Sequence, residues 1–344
     1  MSIWTTDATH WSERNVRSVE SIFHHHPNAS LFIYSNHLAP SAVEPFASAG
    51  FDVKVVGYRL EALLEGTPAK PWLDKLASWE QGPYFYTHVT DVIRLALLFR
   101  EGGVYVDTDV IIIRPFRIAE PEVVAAAIAE EDEARKQVAK EAAAARHAAA
   151  GGRLERIERL VHALPLNGAP PPLAPHSIGA EAHTISETPI VNGAIMVFAR
   201  GSPFLWGAMR EFARSYRDYE WGWNGPELLT RVRRRCPANV SVLPEERFYP
   251  FHWEEVETYS TDGHAAENEY MWRVVQARSY AAHLWNKKSN ELPLGEGSVY
   301  KRLMDTYRVL PRAGGSGDGG ALLREQAAKA HKQLAEGTAA GAIL

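Results

Sequence analysis

Cysteine, net positive charge and long apolar runs are all scarce in this chain of 344 residues, and each shortage excludes a class of protein. Cys236 is the only cysteine, so no disulfide can form within the chain and no zinc site can be built from several thiolates. The formal net charge of -5 provides no basic surface for a polyanion, so we expect no nucleic-acid partner.

The N-terminal segment lacks the apolar stretch of a signal peptide, and no later run resembles a transmembrane segment in length and hydropathy. A cytoplasmic location is therefore expected if the sequence is complete. Hydrophobic residues make up 46% of the chain, which is enough to bury a sizeable core. The chain is therefore expected to be globular.

Strand-like and helix-like segments alternate after Ser30, in the order LFIYS, a helical stretch that ends at Gly50, and FDVKVV. This alternation is typical of a parallel sheet with crossover helices. We therefore predict an α/β protein with a central, mostly parallel sheet flanked by helices.

The segment YFYTHVTDVIRLALLFREGG predicts a helix that Thr90 caps and that Gly102 and Gly103 end. GVYVDTDVIII follows, and it predicts a buried strand that reaches the edge of the sheet at Asp107 and resumes at Val110. Acidic residues inside such an apolar run require a reason.

Composition changes between residues 119 and 187, where an Ala-rich, charged segment precedes a Pro-rich one. We interpret this stretch as an insertion whose helix is a solvated spacer. Folded sequence resumes at Thr188, and residues 313–344 predict a Gly/Ser linker with a flexible Ala-rich tail. The predicted parts are therefore 1–118, 119–187, 188–312 and 313–344.

Asp107 and Asp109 are the first candidates for chemistry, because unpaired carboxylates in an apolar strand would be costly. Residues two apart in a regular strand face the same side, so both would face one cleft and could bind a hard divalent cation. Asp91 and Arg94 lie three residues apart on the preceding helix, spaced to reach the same strand end. Their spacing alone fits a structural ion pair equally well.

Taken together, DVIRLALLFREGGVYVDTDVIIIRPF resembles the sugar-nucleotide-binding segment of the DxD-containing glycosyltransferases with a GT-A fold. WGWNGPELLTRVRRRC, LPEERFYPFHW and AAHLWNKKS resemble, in the same order, the conserved region of the α-1,4-glycosyltransferases, which include the enzymes that make globotriaosyl lipid. The resemblance covers approximately residues 2–117 and 188–311. It implies a Rossmann-like nucleotide-diphospho-sugar transferase in which residues 1–118 bind the nucleotide sugar and residues 188–312 form the acceptor side.

The resemblance also implies roles for individual residues. Asp109 would bind Mn²⁺ or Mg²⁺ directly, Asp107 would share the metal and ribose contacts, and His283 would be the third metal ligand. Asp91 and Arg94 would hold the donor sugar. The other implied contacts are Tyr105 near the nucleotide, Trp4 on the uracil ring, Lys287 or Lys288 at the β-phosphate, Asn192 beside the donor sugar and Glu227 near the reacting face. A packed core position remains open for Trp4, and sugar stacking remains open for Trp221, Trp223, Trp253 and Trp285.

The implied activity is retaining transfer of a hexose or N-acetylhexosamine from UDP-galactose or UDP-N-acetylglucosamine to a glycan or glycolipid. Golgi residence is implied as well, although this chain has neither an anchor nor the several cysteines of the secretory members. An inactive nucleotide-sugar-binding or scaffold protein is the alternative, and the intact set of Asp107, Asp109 and His283 argues against it. A nucleotidyltransferase should carry a Gly-rich basic loop after its first strand, and SIWTTDATHW contains none.

Overall fold

The computed structural model describes residues 1–120, 170–183 and 189–311, together with several helical positions between 122 and 133. Its strands are β1 Ser2–Ile3, β2 Leu31–Tyr34, β3 Val53–Val56, β4 Gly103–Val106, β5 Val110–Ile112, β6 His176–His183, β7 Pro189–Phe198, β8 Ser241–Leu243 and β9 Ala281–His283. Its α-helices are α1 Glu13–His25, α2 Glu44–Ser48, α3 Leu60–Leu64, α4 Leu76–Trp79, α5 Phe85–Glu101, α6 Pro203–Ser215, α7 Pro226–Arg235, α8 Val256–Ser260, α9 Ala265–Arg278, α10 Asn286–Ser289 and α11 Val299–Thr306.

The strands form a mostly parallel layer, as predicted. β1, β2 and β3 are parallel neighbours in that order, and a second group has the order β4-β7-β6-β8. Met1 joins the two groups, because its amino group donates to Val104 O (2.6 Å) and its carbonyl accepts from Val106 N–H (3.0 Å). Bonds from one residue to both sides of Tyr105 are the parallel pattern. Among the described strands of this layer, β7 alone is antiparallel to its neighbours.

Helices cover both faces of the layer, which confirms the predicted α/β class. Side chains alternate along β7, so Ile195 and Val197 pack with α1 and β5, whereas Met196 and Phe198 pack with α5 and α6. β9 pairs antiparallel with β5 beside this layer. None of the described helices combines the length and the apolar character that crossing a bilayer requires.

Helix α5 begins earlier than the sequence indicates. It starts at Phe85, so Thr90 lies inside the helix, where its hydroxyl donates to Tyr86 O (2.9 Å) instead of capping the first turn. The predicted end is correct, because Gly102 follows the helix with a φ of 69°. A Cβ at this glycine would lie 2.8 Å from Arg200 N, so only glycine fits this tight junction with β4.

Strand β6 lies within residues 119–187, the range that the sequence assigns to an insertion. It pairs with β7 on one side and with β8 on the other, so this part of the range belongs to the sheet. A strand that consists largely of small residues, such as HSIGAEAH, shows only a weak alternation of polar and apolar positions and is hard to recognise beside a Pro-rich run. The predicted spacer beyond residue 133 and the tail at 313–344 lie outside the described residues, and the four-part division remains a prediction.

Candidate metal and donor site

A turn between β4 and β5 carries the two aspartates. β5 resumes at Val110 as predicted, and Val110 N–H donates to Asp107 O (3.3 Å) to close the turn. A turn therefore brings the two carboxylates together. The prediction that Asp107 and Asp109 belong to a regular strand was wrong. Thr108 faces away from them, because its carbonyl and hydroxyl oxygens accept from the Asn15 amide at 3.1 and 3.2 Å.

The neighbouring strand β9 brings His283 to this turn. Val110 and His283 are register partners, and His283 Nε2 lies 3.2 Å from Asp109 Oδ1. Asp107, Asp109 and His283 each offer one ligand atom, and these atoms lie within 4.8 Å of one another. His283 Nδ1 is buried without a hydrogen-bond partner in the described part of the chain. Two carboxylates and an imidazole, one of its nitrogens unpartnered, fit a divalent cation such as Mn²⁺ or Mg²⁺.

Charges within this cluster oppose the effect of burial. Burial alone would lower the pKa of His283, but the adjacent Asp109 carboxylate, together with the charges of Asp107 and Glu181, outweighs it and raises that pKa. Burial would raise the pKa of Asp109, but His283 and hydrogen bonding hold it below its ordinary value. For Asp107, burial prevails over Arg94 and the pKa is raised. Asp109 is therefore the carboxylate best prepared to stay ionised.

Helix α5 contributes the acidic and basic pair expected beside the turn. Arg94 Nη2 lies 3.4 Å from Asp91 Oδ1 and 3.5 Å from Asp107 Oδ1, so the guanidinium bridges the helix and the turn. Its central carbon lies 4.8 Å from the centre of the Tyr105 ring, and the Tyr105 hydroxyl donates to Asp107 (2.5 Å). The structure thus brings Asp91, Arg94, Tyr105 and Asp107 together. Asp91 and Arg94 form the ion pair that their spacing allows, and their contacts with a donor sugar remain predictions.

Trp285 lies two residues after His283 and has a left-handed φ of 53°, which is unusual for a bulky residue. The turn directs Asn286 N–H to Asp109 Oδ2 (2.9 Å), a contact that the sequence did not predict. The Trp285 ring is buried, lies edge-on to the His283 ring at 4.3 Å and donates its N–H to Phe251 O. It therefore supports the imidazole and is unavailable for stacking on a sugar.

The two lysines after this turn have different surroundings. Lys287 Nζ donates to Thr87 Oγ1 (3.2 Å) and lies 5.1 Å from the centre of the exposed Trp221 ring. Burial lowers the pKa of Lys287, although two carboxylates of the site oppose that change. Lys288 instead lies 5.2 Å from the centre of the exposed Trp253 ring. Lys287 therefore contacts helix α5 beside the site, and contact with a phosphate remains a prediction for both lysines.

Trp4, Trp223 and Glu227 are the remaining aromatic and acidic candidates. Trp4 is 9% exposed and packs edge-on against Trp11, which corresponds to the core alternative; its contact with uracil remains a prediction. Trp223 has guanidinium carbons of Arg217 and Arg231 within 3.4 and 3.8 Å of its ring centre, so those groups occupy its surroundings. Glu227 is exposed and lines a cavity with Trp223 and Arg231 on the side of α7.

Asn192 is 8% exposed, and a carboxylate that sequence reasoning missed contacts it. Its Nδ2 donates to Glu181 Oε2 (2.5 Å), its Oδ1 accepts from Ala194 N–H (2.8 Å), and its carbonyl accepts from the Tyr249 hydroxyl (3.1 Å). Glu181 was missed because it lies on β6, inside the predicted insertion. The alternation of polar and apolar residues in HSIGAEAH is the sequence signal that could have identified this strand.

Two family models match separate segments of the chain. "Glycosyltransferase sugar-binding region containing DXD motif" matches residues 12–131, and "Alpha 1,4-glycosyltransferase conserved region" matches residues 197–308. The first matched segment contains Asp107 and Asp109, and the second contains His283. These matches confirm the resemblance that the sequence motifs indicate.

Individual relatives are moderately similar over most of the chain. Lactosylceramide 4-alpha-galactosyltransferase of Rattus norvegicus is 26% identical over 304 residues, which are 83% of this chain and 66% of that protein. Alpha-1,4-N-acetylglucosaminyltransferase of Homo sapiens is 28% identical over 299 residues, 80% of this chain and 67% of that protein. The chain thus spans about two thirds of the length of these relatives. Among solved structures, the apo-form glycosyltransferase GlyE of Streptococcus pneumoniae TIGR4 gives a TM-score of 0.42 at 10% identity, covering 96% of this chain and 63% of that chain.

Proposed function

We propose that this relative of the DXD-containing α-1,4-glycosyltransferases is a retaining hexosyltransferase that uses a UDP-sugar and Mn²⁺. One observation carries the proposal: Asp107 and Asp109 from one matched segment and His283 from the other place their ligand atoms within 4.8 Å. The sugars named for the two relatives, galactose and N-acetylglucosamine, are the donors to test first. Lactosylceramide in the name of one relative supports a glycan or glycolipid acceptor.

The chemistry follows from the charges around the turn. A divalent cation held by Asp107, Asp109 and His283 would neutralise the charge that develops on the leaving diphosphate. Arg94 contacts Asp107 at 3.5 Å and so supports its orientation. Lys287 would pair with a phosphate of the donor.

Asp91 would accept hydrogen bonds from hydroxyl groups of the donor sugar. The sequence identifies no carboxylate as a nucleophile for the opposite face of the sugar. We therefore propose that the departing phosphate accepts the proton of the attacking hydroxyl on the same face, which retains the anomeric configuration.

A donor screen tests the proposal. The purified chain is incubated with UDP-galactose, UDP-N-acetylglucosamine or UDP-glucose, with Mn²⁺ or with EDTA, and released UDP is measured. We expect Mn²⁺-dependent release from at least one donor and a loss of about 100-fold in Asp109→Ala, because several kcal/mol of charge stabilisation disappear. Asp74→Ala removes an exposed carboxylate of helix Lys70–Lys75 and is the matched control.

Two outcomes of the screen would count against the proposal. Equal activity of the wild type and Asp109→Ala would refute the metal site. UDP-sugar binding by the wild type without release from any donor would favour the inactive nucleotide-sugar-binding alternative. Where a donor is found, mass spectrometry of products identifies the acceptor class. Golgi residence is a further part of the proposal that rests on the resemblance alone, and imaging the tagged chain against a Golgi marker tests it.

A further inference from the structure

Glu181 is a mostly buried carboxylate close to the proposed site, and no role described so far uses it. It lies on β6, outside both segments that the family models match. It contacts Asn192, whose carbonyl accepts from the Tyr249 hydroxyl, and the centre of the Tyr249 ring lies 5.9 Å from the centre of the His283 ring. A carboxylate taken from water requires compensation, which here is the Asn192 amide.

A β-bulge produces this contact. Ala180 pairs with Val191 and Ala182 pairs with Ile190, so Glu181 is an extra residue on β6 without a partner opposite it. Bulges of this kind redirect a side chain and are common beside active sites. Here the redirected carboxylate reaches Asn192 on the adjacent strand.

The contacts of Asn192 fix the orientation of its amide group. Oδ1 accepts from Ala194 N–H and Nδ2 donates to Glu181, so a flipped amide would lose both bonds. An amide nitrogen has two hydrogens, and Glu181 is the one acceptor that the described residues provide for them. The second hydrogen therefore has no acceptor among the described residues.

We propose that Glu181 is a positioning residue that holds the Asn192 amide so that its free N–H donates to a hydroxyl of the donor sugar. The inference rests on the proposed function and deepens it, because it assigns a recognition role to β6. A carboxylate suits the role, since a charge-assisted bond holds the amide more firmly than a neutral one. Glu181 acts through Asn192 and contacts no reacting atom itself.

Binding measurements separate this role from a merely structural one. UDP and UDP-galactose are titrated calorimetrically with Mn²⁺ into the wild type, Glu181→Ala, Asn192→Ala and the double variant. If the donor screen shows hydrolysis of UDP-N-acetylglucosamine and not of UDP-galactose, UDP-N-acetylglucosamine is titrated instead. We expect Glu181→Ala to weaken the binding of UDP-galactose about 10-fold, because a hydrogen bond to a charged group is lost. The affinity for UDP should be unchanged. The double variant should bind no more weakly than Asn192→Ala, because both changes remove one function.

Further variants guard against misfolding. Glu181→Gln should retain most of the affinity, because its side-chain carbonyl can still accept from Asn192. Glu181→Met replaces Glu181→Ala if the smaller side chain prevents folding, which thermal melting reports. Glu211→Ala is the control, since Glu211 is a carboxylate with 8% exposure that pairs with Arg235 of α7. It should change stability and not the ratio of the two affinities.

Several results would overturn the inference. A positioning role would be excluded if the affinity for UDP-galactose did not depend on residue 181, or if Glu181→Ala weakened the binding of UDP and of UDP-galactose equally. Additive effects of the two alanine variants would exclude it as well. A wild type that binds UDP-galactose more tightly than UDP without releasing UDP would refute the proposed activity and leave this inference intact.

Discussion

His283 Nε2 lies 3.2 Å from Asp109 Oδ1, and this contact joins the end of β9 to the turn after β4. Strand pairing creates the contact, because Val110 and His283 are register partners in the β5-β9 ladder. Asn286 N–H approaches the second oxygen of Asp109 at 2.9 Å. The backbone therefore holds both side chains in place, so a cation would find its ligands already assembled.

The first prediction concerns metal affinity. Asp109→Asn should weaken Mn²⁺ binding at least about 10- to 100-fold, because an ionised ligand is lost. The new amide oxygen can still accept from Asn286 N–H, so the turn should persist. His283→Ala should weaken binding similarly. Electron paramagnetic resonance of free Mn²⁺ measures both.

His252 supplies the matched control for the metal measurement. Its Nδ1 lies 3.7 Å from a carboxylate oxygen of Glu254, in a more exposed pair that contains none of the three proposed ligands. His252→Ala should leave Mn²⁺ affinity unchanged. Wild-type affinity in Asp109→Asn would show that the turn is not the metal site.

The second prediction is that Asp91 lowers the stability of the fold at neutral pH. Burial raises the pKa of Asp91 to about 6, against the opposing effect of Arg94. In the unfolded chain the carboxyl group of Asp91 has a pKa of about 3.9. Between about pH 4 and 6 this carboxyl is therefore protonated in the folded protein and ionised in the unfolded chain, so the folded state loses stability as the pH rises through that window. Asp91→Asn should therefore gain about 1–3 kcal/mol at pH 7.5 and almost nothing at pH 4.

Urea unfolding at pH 7.5 and pH 4 measures this difference, and donor hydrolysis measures its functional counterpart. The neutral amide should reduce hydrolysis about 10-fold or more, since an ionised acceptor beside the sugar is lost. Asp74→Asn alters an exposed carboxylate and should change stability by less than about 0.5 kcal/mol. A loss of stability in Asp91→Asn at pH 7.5 would mean that the Arg94 pair outweighs burial.

The sequence predicts the parts of the site that are local in the chain. Helix α5 and the turn at Asp107 are adjacent segments, so their periodicity and the Gly102 stop indicate correctly that Asp91 and Arg94 reach the turn. The turn geometry itself was not predictable from alternation, because a strand that pauses and resumes has the same composition as one that continues.

Long-range contacts account for what the sequence could not predict. His283 meets Asp109 through strand register, and nothing local specifies that register; the family resemblance alone pointed to it. Glu181 depends on a bulge in β6, where the extra residue leaves no mark on composition. Trp285 and Trp223 were open candidates for sugar stacking until packing showed which aromatic faces are covered.

The third prediction assigns acceptor contacts to the two exposed tryptophans beside α10. Trp221 is 47% exposed and Trp253 is 39% exposed, and each is approached by one of the adjacent residues Lys287 and Lys288. Replacing either ring by alanine should raise the acceptor KM about 3- to 10-fold, equivalent to one aromatic contact, without changing hydrolysis of the donor alone.

Trp206 is the control for these variants, because it is 40% exposed and lies on α6 against Phe99. Transfer and hydrolysis should be unaffected in Trp206→Ala. If Trp221→Ala and Trp253→Ala lower donor hydrolysis as much as transfer, the rings serve the donor side or the fold rather than the acceptor.

The fourth prediction uses a glycine to displace Asp91 without changing its charge. Gly225 precedes α7, and a Cβ there would lie 2.9 Å from Asp91 Oδ2 and 3.1 Å from Oδ1. Gly225→Ala must therefore push a carboxylate that Arg94 holds at 3.4 Å. We expect kcat/KM for donor hydrolysis to fall about 10- to 100-fold, since a small misplacement beside the reacting groups is costly.

Gly207 provides the comparison, because a Cβ there would lie 3.6 Å from Val232 Cγ1, an ordinary contact inside helix α6. Gly207→Ala should add about 0.5–1 kcal/mol of stability with unchanged hydrolysis. Activity in Gly225→Ala that equals the activity in Gly207→Ala would show that the position of Asp91 is not critical. A loss in Gly225→Ala at unchanged Mn²⁺ affinity would instead place Asp91 at the donor sugar, because the turn that carries the metal ligands would then be undisturbed.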